Sequence, residues 1–508
     1  MINWKVRYAG LFERCPELAD PDRRILEVGS GCEGAGRYLK RTVIGIDRAF
    51  DRPIGSYLNP VRASILRLPF VSSAFEDVLC VDTLEHLPLR DRPRAIAELI
   101  RVASRRVIIS GPAGGFAVWG DASYAGHIAR GRRELPGWLG EHLHHGIPSL
   151  GDLLEMLADC GHPFTVHVTE GAIQHYSGLL ADNYPFMSRF LDMHDRKFSV
   201  ESPLGRAEGD VPYSYLLIID VGGTKPTTTA TLPAGANPAP HASRQKRLEI
   251  FAVGHRLDRL PEIAGIRRIL AGTGEPGLDR HPGILRDNSG DSIADRNVDL
   301  SELTAIYWVW KNVTDLAGVG FCHYRRYFDF RSAGTRASRE TRLKSSREVA
   351  RHQASFTDHA VMAKVVDEGA IVVARSTEEG IANAEQYMIA HRADDYLAML
   401  NYLFARYSQL RDQTIAHVRD DGFYGNNMFV MPWADFDRLC EFWFDCLFGL
   451  DRQLANKPAG YQSRVLAFLS ERLLDIYVRW LRDCGREVVE YPLFFLEDSA
   501  FLDGARIG

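Results

Sequence analysis

A cluster of polar and cationic residues offers the clearest chemistry in this 508-residue sequence. The apolar run 316–321 predicts a buried strand, and four side chains follow it closely: His323, Tyr324, Arg325 and Arg326. Ligands of open α/β sheets bind just beyond the carboxyl ends of strands. Because cationic groups suit phosphates, the cluster predicts a site for a phosphorylated ligand, with His323, Arg325 and Arg326 as catalytic candidates and Tyr324 as a binding candidate.

A short helix is predicted just before this strand, from Ser301 to Lys311. Its candidates for substrate binding are Glu302, Trp308, Trp310 and Lys311. Residues two apart on a helix face in different directions, so we expect at most one tryptophan in the core and the other to be freer to stack on a base or sugar ring. Glu302 is alternatively only a partner of the helix dipole.

Further substrate-binding candidates lie downstream. Tyr387 and His391 are four residues apart and therefore share one face of a predicted helix. Asn426 and Asn427 precede a predicted buried strand, 428–431, and offer amides to acceptor hydroxyls. Glu471 falls in a long amphipathic helix, where a surface role is expected.

The N-terminal part of the sequence has a glycine-rich turn. The predicted strand 24–28 contains Glu27 and leads into Gly29 and Gly31. Glycine permits tight turns and a close approach of backbone N–H groups to a ligand. A second predicted strand ends at Asp47, where an acid can accept hydrogen bonds from ribose hydroxyls. This pattern alone suits a nucleotide-type cofactor, including NAD, or a plain structural turn.

Several histidines are candidates for a general base. Asp82 follows the third predicted strand, 74–81, and His86 follows Asp82 closely. The segment 141–149 contains His142, His144 and His145, of which we select His145 together with His86 as catalytic candidates. For each single histidine the alternative is a structural or surface role.

Alternating strands and helices must position these residues. Strand and helix patterns over 24–110 predict a doubly wound, mostly parallel α/β sheet. A Pro-, Thr- and Ala-rich stretch, 222–243, predicts a flexible linker. We therefore expect domains at 1–221 and 247–508, the second also α/β, joined by a linker at 222–246. The basic tract 331–351 predicts a solvated helix or loop, or alternatively a mobile loop over an anionic substrate.

Composition narrows the functional class. The 61 basic and 66 acidic residues give a formal net charge of −5, which argues against a general nucleic-acid-binding protein. The eight cysteines form no CxxC pair, so a zinc site is not expected and reduced thiols are. We expect neither a signal peptide nor a membrane span, and hence a cytoplasmic location.

The N-terminal motifs resemble class I S-adenosylmethionine-dependent methyltransferases. The resemblance covers about 20–220 and rests on ILEVGSGCEG, GIDRAF, LRLPFVSSAFEDVLCVDTLEHL and EHLHHGIPS. It implies a Rossmann-like fold and S-adenosylmethionine as cofactor. The cofactor-binding residues that we assign on this basis are Glu27, Gly29, Gly31, Asp47, Ser64, Leu68 and Asp82. Ser64 stands where many members have an acid, and the third glycine is offset to Gly34.

The C-terminal motifs resemble the family DUF4422. They are ELTAIYWVWKN, GFCHYRRYF, AEQYMIAH, GNNMFVM and LAFLSERLL, spread over about 248–485. The resemblance implies a GT-A-like glycosyltransferase of capsule or O-antigen biosynthesis, a nucleotide-sugar donor such as a UDP-linked sugar, and galactofuranosyl transfer among its activities. The residues 323–325 stand where such enzymes carry an Asp-x-Asp metal motif. Because arginine cannot ligate a metal, we assign no metal ligand, and any metal would be held by other acids.

Together the two resemblances predict a bifunctional enzyme of bacterial surface polysaccharide synthesis, which transfers a sugar and O-methylates a glycan. One alternative is an active glycosyltransferase with a degenerate cofactor-binding domain, and another is a non-catalytic glycan- or nucleotide-binding scaffold. The expected partner is a glycan acceptor. A lipid-linked acceptor would be reached by peripheral contact with the inner membrane face.

Overall fold

The computed structural model describes residues 2–130, 134–172, 175, 210–223, 230, 232, 247–272, 283–332, 340–378, 380–454 and 460–498. These residues form two compact α/β units. Unit 1 comprises Met1–Thr229 with Ala384–Asn401, and unit 2 comprises Ala230–Asn383 with Tyr402–Gly508. Most of the predicted linker, and residues 333–339 of the basic tract, lie outside the described residues. The predicted domain boundaries stay a prediction.

Unit 1 contains a seven-stranded sheet with the order β3-β2-β1-β4-β5-β7-β6 among the described residues. Its strands are β1 (Ile25–Val28), β2 (Val43–Asp47), β3 (Leu58–Arg62), β4 (Phe75–Val81), β5 (Ala103–Pro112), β6 (Phe164–Gly171) and β7 (Pro212–Asp220). Strands β1 to β5 are parallel, as predicted, whereas β7 pairs antiparallel with both β5 and β6. The chain winds outward from β1 to β3 and then crosses to β4, which makes the β1–β4 gap the switch point where open sheets bind ligands.

The helices of unit 1 are Ile2–Arg14, Gly36–Leu39, Arg92–Val102, Gly115–Arg130, Gly137–His145 and Leu150–Asp159, with most of Asn383–Ala390 and Ala393–Arg406 added from residues 384–401. The added segment meets the sheet at its β6 edge. Asn401 Oδ1 accepts from the Val166 N–H at 2.8 Å, and Asn401 Nδ2 donates to the Val166 carbonyl at 2.9 Å. One side chain thus satisfies both backbone groups of an edge-strand residue.

Unit 2 is built on a ten-stranded mixed sheet within the described residues. The strands of unit 2 are β8 (Leu248–Gly254), β9 (Ile266–Leu270), β10 (Leu285–Arg286), β11 (Gly318–His323), β12 (Arg326–Phe328), β13 (Glu340–Leu343), β14 (Ile371–Ala374), β15 (Thr377–Glu378), β16 (Gly422–Phe423), β17 (Phe429–Pro432), β18 (Val488–Tyr491) and β19 (Leu493–Leu496). β15 and β16 form a separate pair. Strands β10, β9, β8 and β11 are parallel neighbours, and β17 runs antiparallel to β11.

The helices of unit 2 are Asn297–Leu300, Leu303–Asn312, Ser346–Arg351, His359–Ala363, Arg411–Arg419, Trp433–Gln453 and Val465–Asp483. Its core contains stacked rings of Phe251 and Phe321, whose centroids lie 5.7 Å apart on the central parallel pair. In that pair Val253 stands opposite His323, so the carboxyl ends of β8 and β11 reach the same sheet edge.

The predicted α/β fold class is confirmed. All eight cysteines are free thiols, as expected from their spacing. No helix among the described residues is long and apolar enough to cross a membrane.

Candidate active sites

A cavity of about 640 Å³ opens at the carboxyl edge of β8 and β11 in unit 2. The polar and charged residues that line it are His255, Asn297, Ser301, Glu302, His323, Tyr324, Arg326, Asn426, Ser463, Arg464 and Glu471. Glu471 belongs to the helix Val465–Asp483, which lies far from β8 and β11 in the sequence and covers the cavity. We call it the glutamate cavity.

Glu302 and His323 meet in this cavity. Glu302 Oε1 lies 3.7 Å from His323 Nε2 and accepts a hydrogen bond of 2.7 Å from Asn427 Nδ2. Glu302 is the N-cap residue of the helix Leu303–Asn312, but its side chain makes no capping hydrogen bond. Its carboxylate therefore contacts groups of the cavity and does not cap the helix.

Glu471 is held from the opposite direction. Its Oε1 accepts from the Asn426 backbone N–H at 3.0 Å. Asn426 and Asn427 both have positive φ, +69° and +48°, in the left-handed region that asparagine tolerates better than most residues. This turn directs one asparagine to each glutamate, and such locally strained backbone is typical of functional sites.

The surroundings of Glu471 change its affinity for a proton. Burial raises the pKa of the Glu471 carboxyl, the neighbouring Glu302 carboxylate adds to the rise, and the charge of Arg472 opposes it. The Glu471 side chain nevertheless keeps 27% of its surface exposed, so it remains accessible from the cavity. A carboxyl with a raised pKa in a cavity is suited to accept a proton from a substrate hydroxyl.

The predicted cationic cluster divides between two environments. Tyr324 and Arg326 line the glutamate cavity together with His323. Arg325, by contrast, is not among the residues of the cavity wall, and its guanidinium pairs with Asp498. The turn between β11 and β12 explains the division, because His323 and Arg326 form the antiparallel pair that closes this turn, and Arg325 lies within the turn.

The aromatic candidates of the helix Leu303–Asn312 do not line this cavity. Trp308 Nε1 donates to the Ser289 carbonyl at 2.7 Å, and Trp310 Nε1 donates to Asp437 Oδ1 at 2.7 Å. The Lys311 ammonium lies 3.2 Å from the centroid of the Trp310 ring. Both tryptophans are half-buried and contact other residues of the protein. These contacts favour a structural role over stacking on a ligand.

Tyr387 and His391 are brought together, but not at the glutamate cavity. Their ring centroids lie 4.8 Å apart, on residues that belong to unit 1. Tyr387 is fully buried and its ring lies 5.0 Å from that of Tyr396. The predicted role of Tyr387 and His391 in substrate binding stays a prediction.

The glycine turn of unit 1 forms a cradle at the β1–β4 switch point. A Cβ on Gly29 would lie 1.9 Å from Thr83 Oγ1, so only glycine lets the turn after β1 approach the turn after β4. Gly31, with φ +53°, donates its N–H to Asp47 Oδ2 at 3.0 Å, and a Cβ there would meet no atom within 4 Å. The space beside Gly31 and the carboxylate of Asp47 fit a ribose-containing cofactor.

Glu27 supports the glycine cradle through buried hydrogen bonds. It is completely buried, accepts from Tyr8 Oη at 2.5 Å and from the Ala35 N–H at 2.5 Å. Burial raises its pKa to about 7. Glu27 therefore positions the glycine turn and has no exposed surface to offer a cofactor.

The remaining predicted cofactor residues differ in accessibility. Ser64 is exposed in the turn after β3, and its Oγ accepts from the Leu66 N–H. Leu68 is buried, and its N–H donates to Glu98 Oε2 at 2.9 Å. Asp82 has φ +43° and follows β4 at the switch point, where it lines a second cavity.

This second cavity, of about 150 Å³, is lined by Asp82, Glu85, His86, Pro112, Trp138, His142, His175 and Tyr213. We call it the histidine cavity. His142 Nδ1 lies 2.7 Å from Asp121 Oδ2, and His86 Nδ1 lies 2.7 Å from Glu141 Oε2. His145 is not in the cavity wall, and its ring packs against His144 at 4.8 Å.

The sequence prediction considered two residues of these sites, Glu471 and His142, but selected neither. Glu471 was expected on the surface, because a polar residue of an amphipathic helix points to water unless tertiary structure places a cavity there. His142 was one of three neighbouring histidines, and the fold separates it from His145 by its place in the cavity wall and its pairing with Asp121. The quoted motif LAFLSERLL was the available signal for Glu471.

Residues 249–482 match the family DUF4422, described as a domain of unknown function. The match confirms the resemblance predicted from the C-terminal motifs. The DUF4422 region contains all residues named above for the glutamate cavity. No curated protein sequence matches the chain.

Solved structures of two kinds are similar to this chain. One is the apo structure of WbbM, a bifunctional glycosyltransferase, with 24% identity and a TM-score of 0.43 over 49% of this chain and 45% of that protein. A second is magnesium protoporphyrin IX methyltransferase (ChlM) from Synechocystis PCC 6803 with bound SAH, with 15% identity and a TM-score of 0.26 over 43% and 82%. A third is geranyl diphosphate C-methyltransferase from Streptomyces coelicolor A3(2), with 16% identity and a TM-score of 0.24 over 39% and 71%. The chain thus spans less than half the length of WbbM.

Proposed function

We propose that the chain is a bifunctional transferase of bacterial surface polysaccharide (capsule or O-antigen) synthesis. Unit 2 would transfer a sugar from a nucleotide-sugar donor to a glycan, and unit 1 would O-methylate a glycan with S-adenosylmethionine. The observation that carries the sugar-transfer proposal is the glutamate cavity, where Glu471 with its raised pKa faces the carboxyl ends of β8 and β11.

In the sugar-transfer reaction Glu471 would act as general base. It would accept the proton of the acceptor hydroxyl while that oxygen bonds to the anomeric carbon and the bond to the diphosphate breaks. Arg326 and His323 line the same cavity and would balance the charge that develops on the leaving diphosphate. Glu302, fixed by Asn427, would hold His323 in place.

The methyl-transfer proposal rests on the glycine cradle. Gly29, Gly31 and Asp47 would hold the cofactor, which when bound supplies a methyl group on a sulfonium centre. Catalysis of such a transfer is largely the positioning of the two reactants. The histidine cavity lies at the ends of β4 and β5, beside the switch point, and would receive the acceptor hydroxyl close to His86.

The sugar-transfer proposal is tested with the full chain and a panel of UDP-linked sugars, with donor hydrolysis as the readout. We expect turnover in the wild type and its loss in Glu471→Gln. Unchanged donor hydrolysis in Glu471→Gln would remove Glu471 from the mechanism. Failure of every donor to bind would favour a glycan-binding scaffold.

The methyl-transfer proposal is tested by calorimetric titration of the full chain with S-adenosylmethionine. No binding would favour the alternative in which only the glycosyltransferase is active. Mass spectrometry of surface glycans from cells that lack the protein should then reveal the loss of a hexose, a methyl group or both.

A further inference from the structure

Three side chains of the histidine cavity have the arrangement of metal ligands. Glu85, His86 and His142 each offer one ligand atom, and these atoms all lie within 4.8 Å of one another. In a tetrahedral site with metal–ligand bonds of about 2.1 Å, the ligand atoms stand roughly 3.4 Å apart. Side-chain movements of about an ångström would therefore close the three residues around one cation.

Both histidines are oriented by carboxylates. His142 Nδ1 lies 2.7 Å from Asp121 Oδ2, and His86 Nδ1 lies 2.7 Å from Glu141 Oε2. Each ring therefore keeps its Nε2 for the cavity. A ligating histidine in proteins almost always donates its other ring N–H to a carboxylate, a carbonyl or water. Both histidines of the cluster have such a carboxylate at Nδ1.

The side chains around His142 fix its position. Asp121 also accepts a hydrogen bond from Tyr213 Oη at 3.1 Å, so its carboxylate is fixed between two side chains. His142 Nε2 is buried, makes no hydrogen bond within the described part of the chain, and lies 3.9 Å from Glu85 Oε1. A buried nitrogen in this state is left available as a ligand.

Local backbone places the other two ligands. Glu85 and His86 belong to a 3-10 turn, Leu84–His86, that follows β4 directly. A Cβ on Gly111 of β5 would lie 3.2 Å from Glu85 Oε2, so glycine at this position leaves space for the carboxylate.

We infer that Glu85, His86 and His142 bind a divalent cation of the first transition series, with Zn²⁺ as the reference ion. Two imidazoles and one carboxylate suit Zn²⁺ and its neighbours better than Mg²⁺ or Ca²⁺, which prefer oxygen ligands. Cysteine spacing predicted no zinc site, and these ligands include no cysteine. Glu85 and His142 are 57 positions apart in numbering and meet only through the fold.

This inference deepens the proposed methyl transfer, and its functional part rests on that proposal. Three protein ligands leave coordination positions for water or a substrate oxygen. A cation at this point would bind the acceptor hydroxyl and lower its pKa, a task otherwise left to a histidine base. Asp121 and Glu141 would be positioning residues that act through the histidines.

The test uses the full-length chain without an affinity tag, freed of metal by dialysis against a chelator. Co²⁺ is titrated as a probe and followed by visible absorption, and bound Zn²⁺ is counted by elemental mass spectrometry after gel filtration. We expect one equivalent per chain, with affinity reduced at least 10-fold in Glu85→Gln and in His86→Ala. Asp121→Asn should weaken binding about 10- to 100-fold.

The matched controls are His144→Ala and His145→Ala, which remove neighbouring imidazoles outside the cavity and should retain full binding. His86 is preferred to the buried His142 for the main variant, because its side chain is 28% exposed and its loss threatens folding less. Thermal melts of each metal-free variant check that the fold is retained. Equal Co²⁺ binding by the wild type and a folded His86→Ala variant would overturn the inference.

A separate titration with S-adenosylmethionine distinguishes this site from the proposed activity. Stoichiometric metal with no cofactor binding would overturn the methyl transfer and leave the metal site standing. Cofactor binding with no metal in the wild type would overturn the metal site and leave the proposed methyl transfer standing.

Discussion

The two cavities of this chain hold their central side chains by opposite means. In the histidine cavity carboxylates orient imidazoles, and the resulting groups present nitrogen atoms to a space of about 150 Å³. In the glutamate cavity asparagines orient carboxylates, and Arg326 shares a space of about 640 Å³. The first arrangement suits a small cation beside a hydroxyl, whereas the second suits a large ligand with a charged leaving group.

The largest effect is expected from Glu471→Gln. Loss of a general base typically lowers a rate by about 10²- to 10⁴-fold. We expect a decrease of this size in kcat for donor turnover, with no change in metal content or cofactor affinity. Glu441→Gln is a suitable control, because Glu441 is exposed on the helix Trp433–Gln453. Equal losses in both variants would show that a general change of charge, and not the cavity, sets the rate.

A comparison of Arg325 with Arg326 tests which of them binds the leaving diphosphate. A hydrogen bond to a charged group contributes about 1.5–3 kcal/mol, which corresponds to roughly 10- to 100-fold in affinity. Arg326→Ala should weaken donor binding by that amount, measured as KM or by calorimetry with UDP. Arg325→Ala should cost only a few-fold, since Arg325 pairs with Asp498. A larger loss in Arg325→Ala would reverse the roles that the structure assigns to the two residues.

A chelator separates the two cavities directly. The residues 323–325 contain no carboxylate, so we expect donor turnover to persist within about two-fold after treatment with EDTA. Metal bound at Glu85, His86 and His142 should be removed by the same treatment. Activity of unit 2 that is abolished by EDTA and restored by Mn²⁺ would contradict this prediction and indicate that other acids hold a metal there.

Asp47 tests the cofactor cradle. Its side chain both fixes the Gly31 N–H and is available for ribose hydroxyls. Asp47→Ala should weaken S-adenosylmethionine binding about 10-fold in calorimetry, and Asp47→Asn, which keeps one acceptor oxygen, should have a smaller effect. Asp22→Ala, an exposed position in a turn, serves as the control.

A further prediction concerns the pH dependence of the stability of unit 1. The Glu27 carboxyl has an ordinary pKa of 4.5, which burial raises to about 7. The folded state therefore binds the proton more tightly than the unfolded state, and stability falls as the pH rises from about 4.5 to 7. The full difference corresponds to roughly 3 kcal/mol. The melting temperature of wild type relative to Glu27→Gln should decrease over this interval, and parallel curves would contradict the assignment.

Local patterns accounted for most of the framework. The apolar run 316–321 predicted β11 to within two residues at each end, because a short apolar run bounded by polar residues is typical of a buried strand. The direction of β7 was not predictable, since antiparallel and parallel neighbours bury the same apolar face. In the sites, His323 and Asn426 lie beside strand ends and were found. Glu471 depends on a helix that packs over the cavity, which no local pattern encodes.

The contact of Asn401 with Val166 has a consequence for the order in which the chain becomes stable. Unit 1 includes residues that follow most of unit 2's strands in the sequence, so its β6 edge stays uncovered while the ribosome is still producing the DUF4422 region. Uncovered edge strands pair readily with other chains. A chain cut at the linker would lack Asn401, and the backbone N–H and carbonyl of Val166 would lose both of these hydrogen bonds.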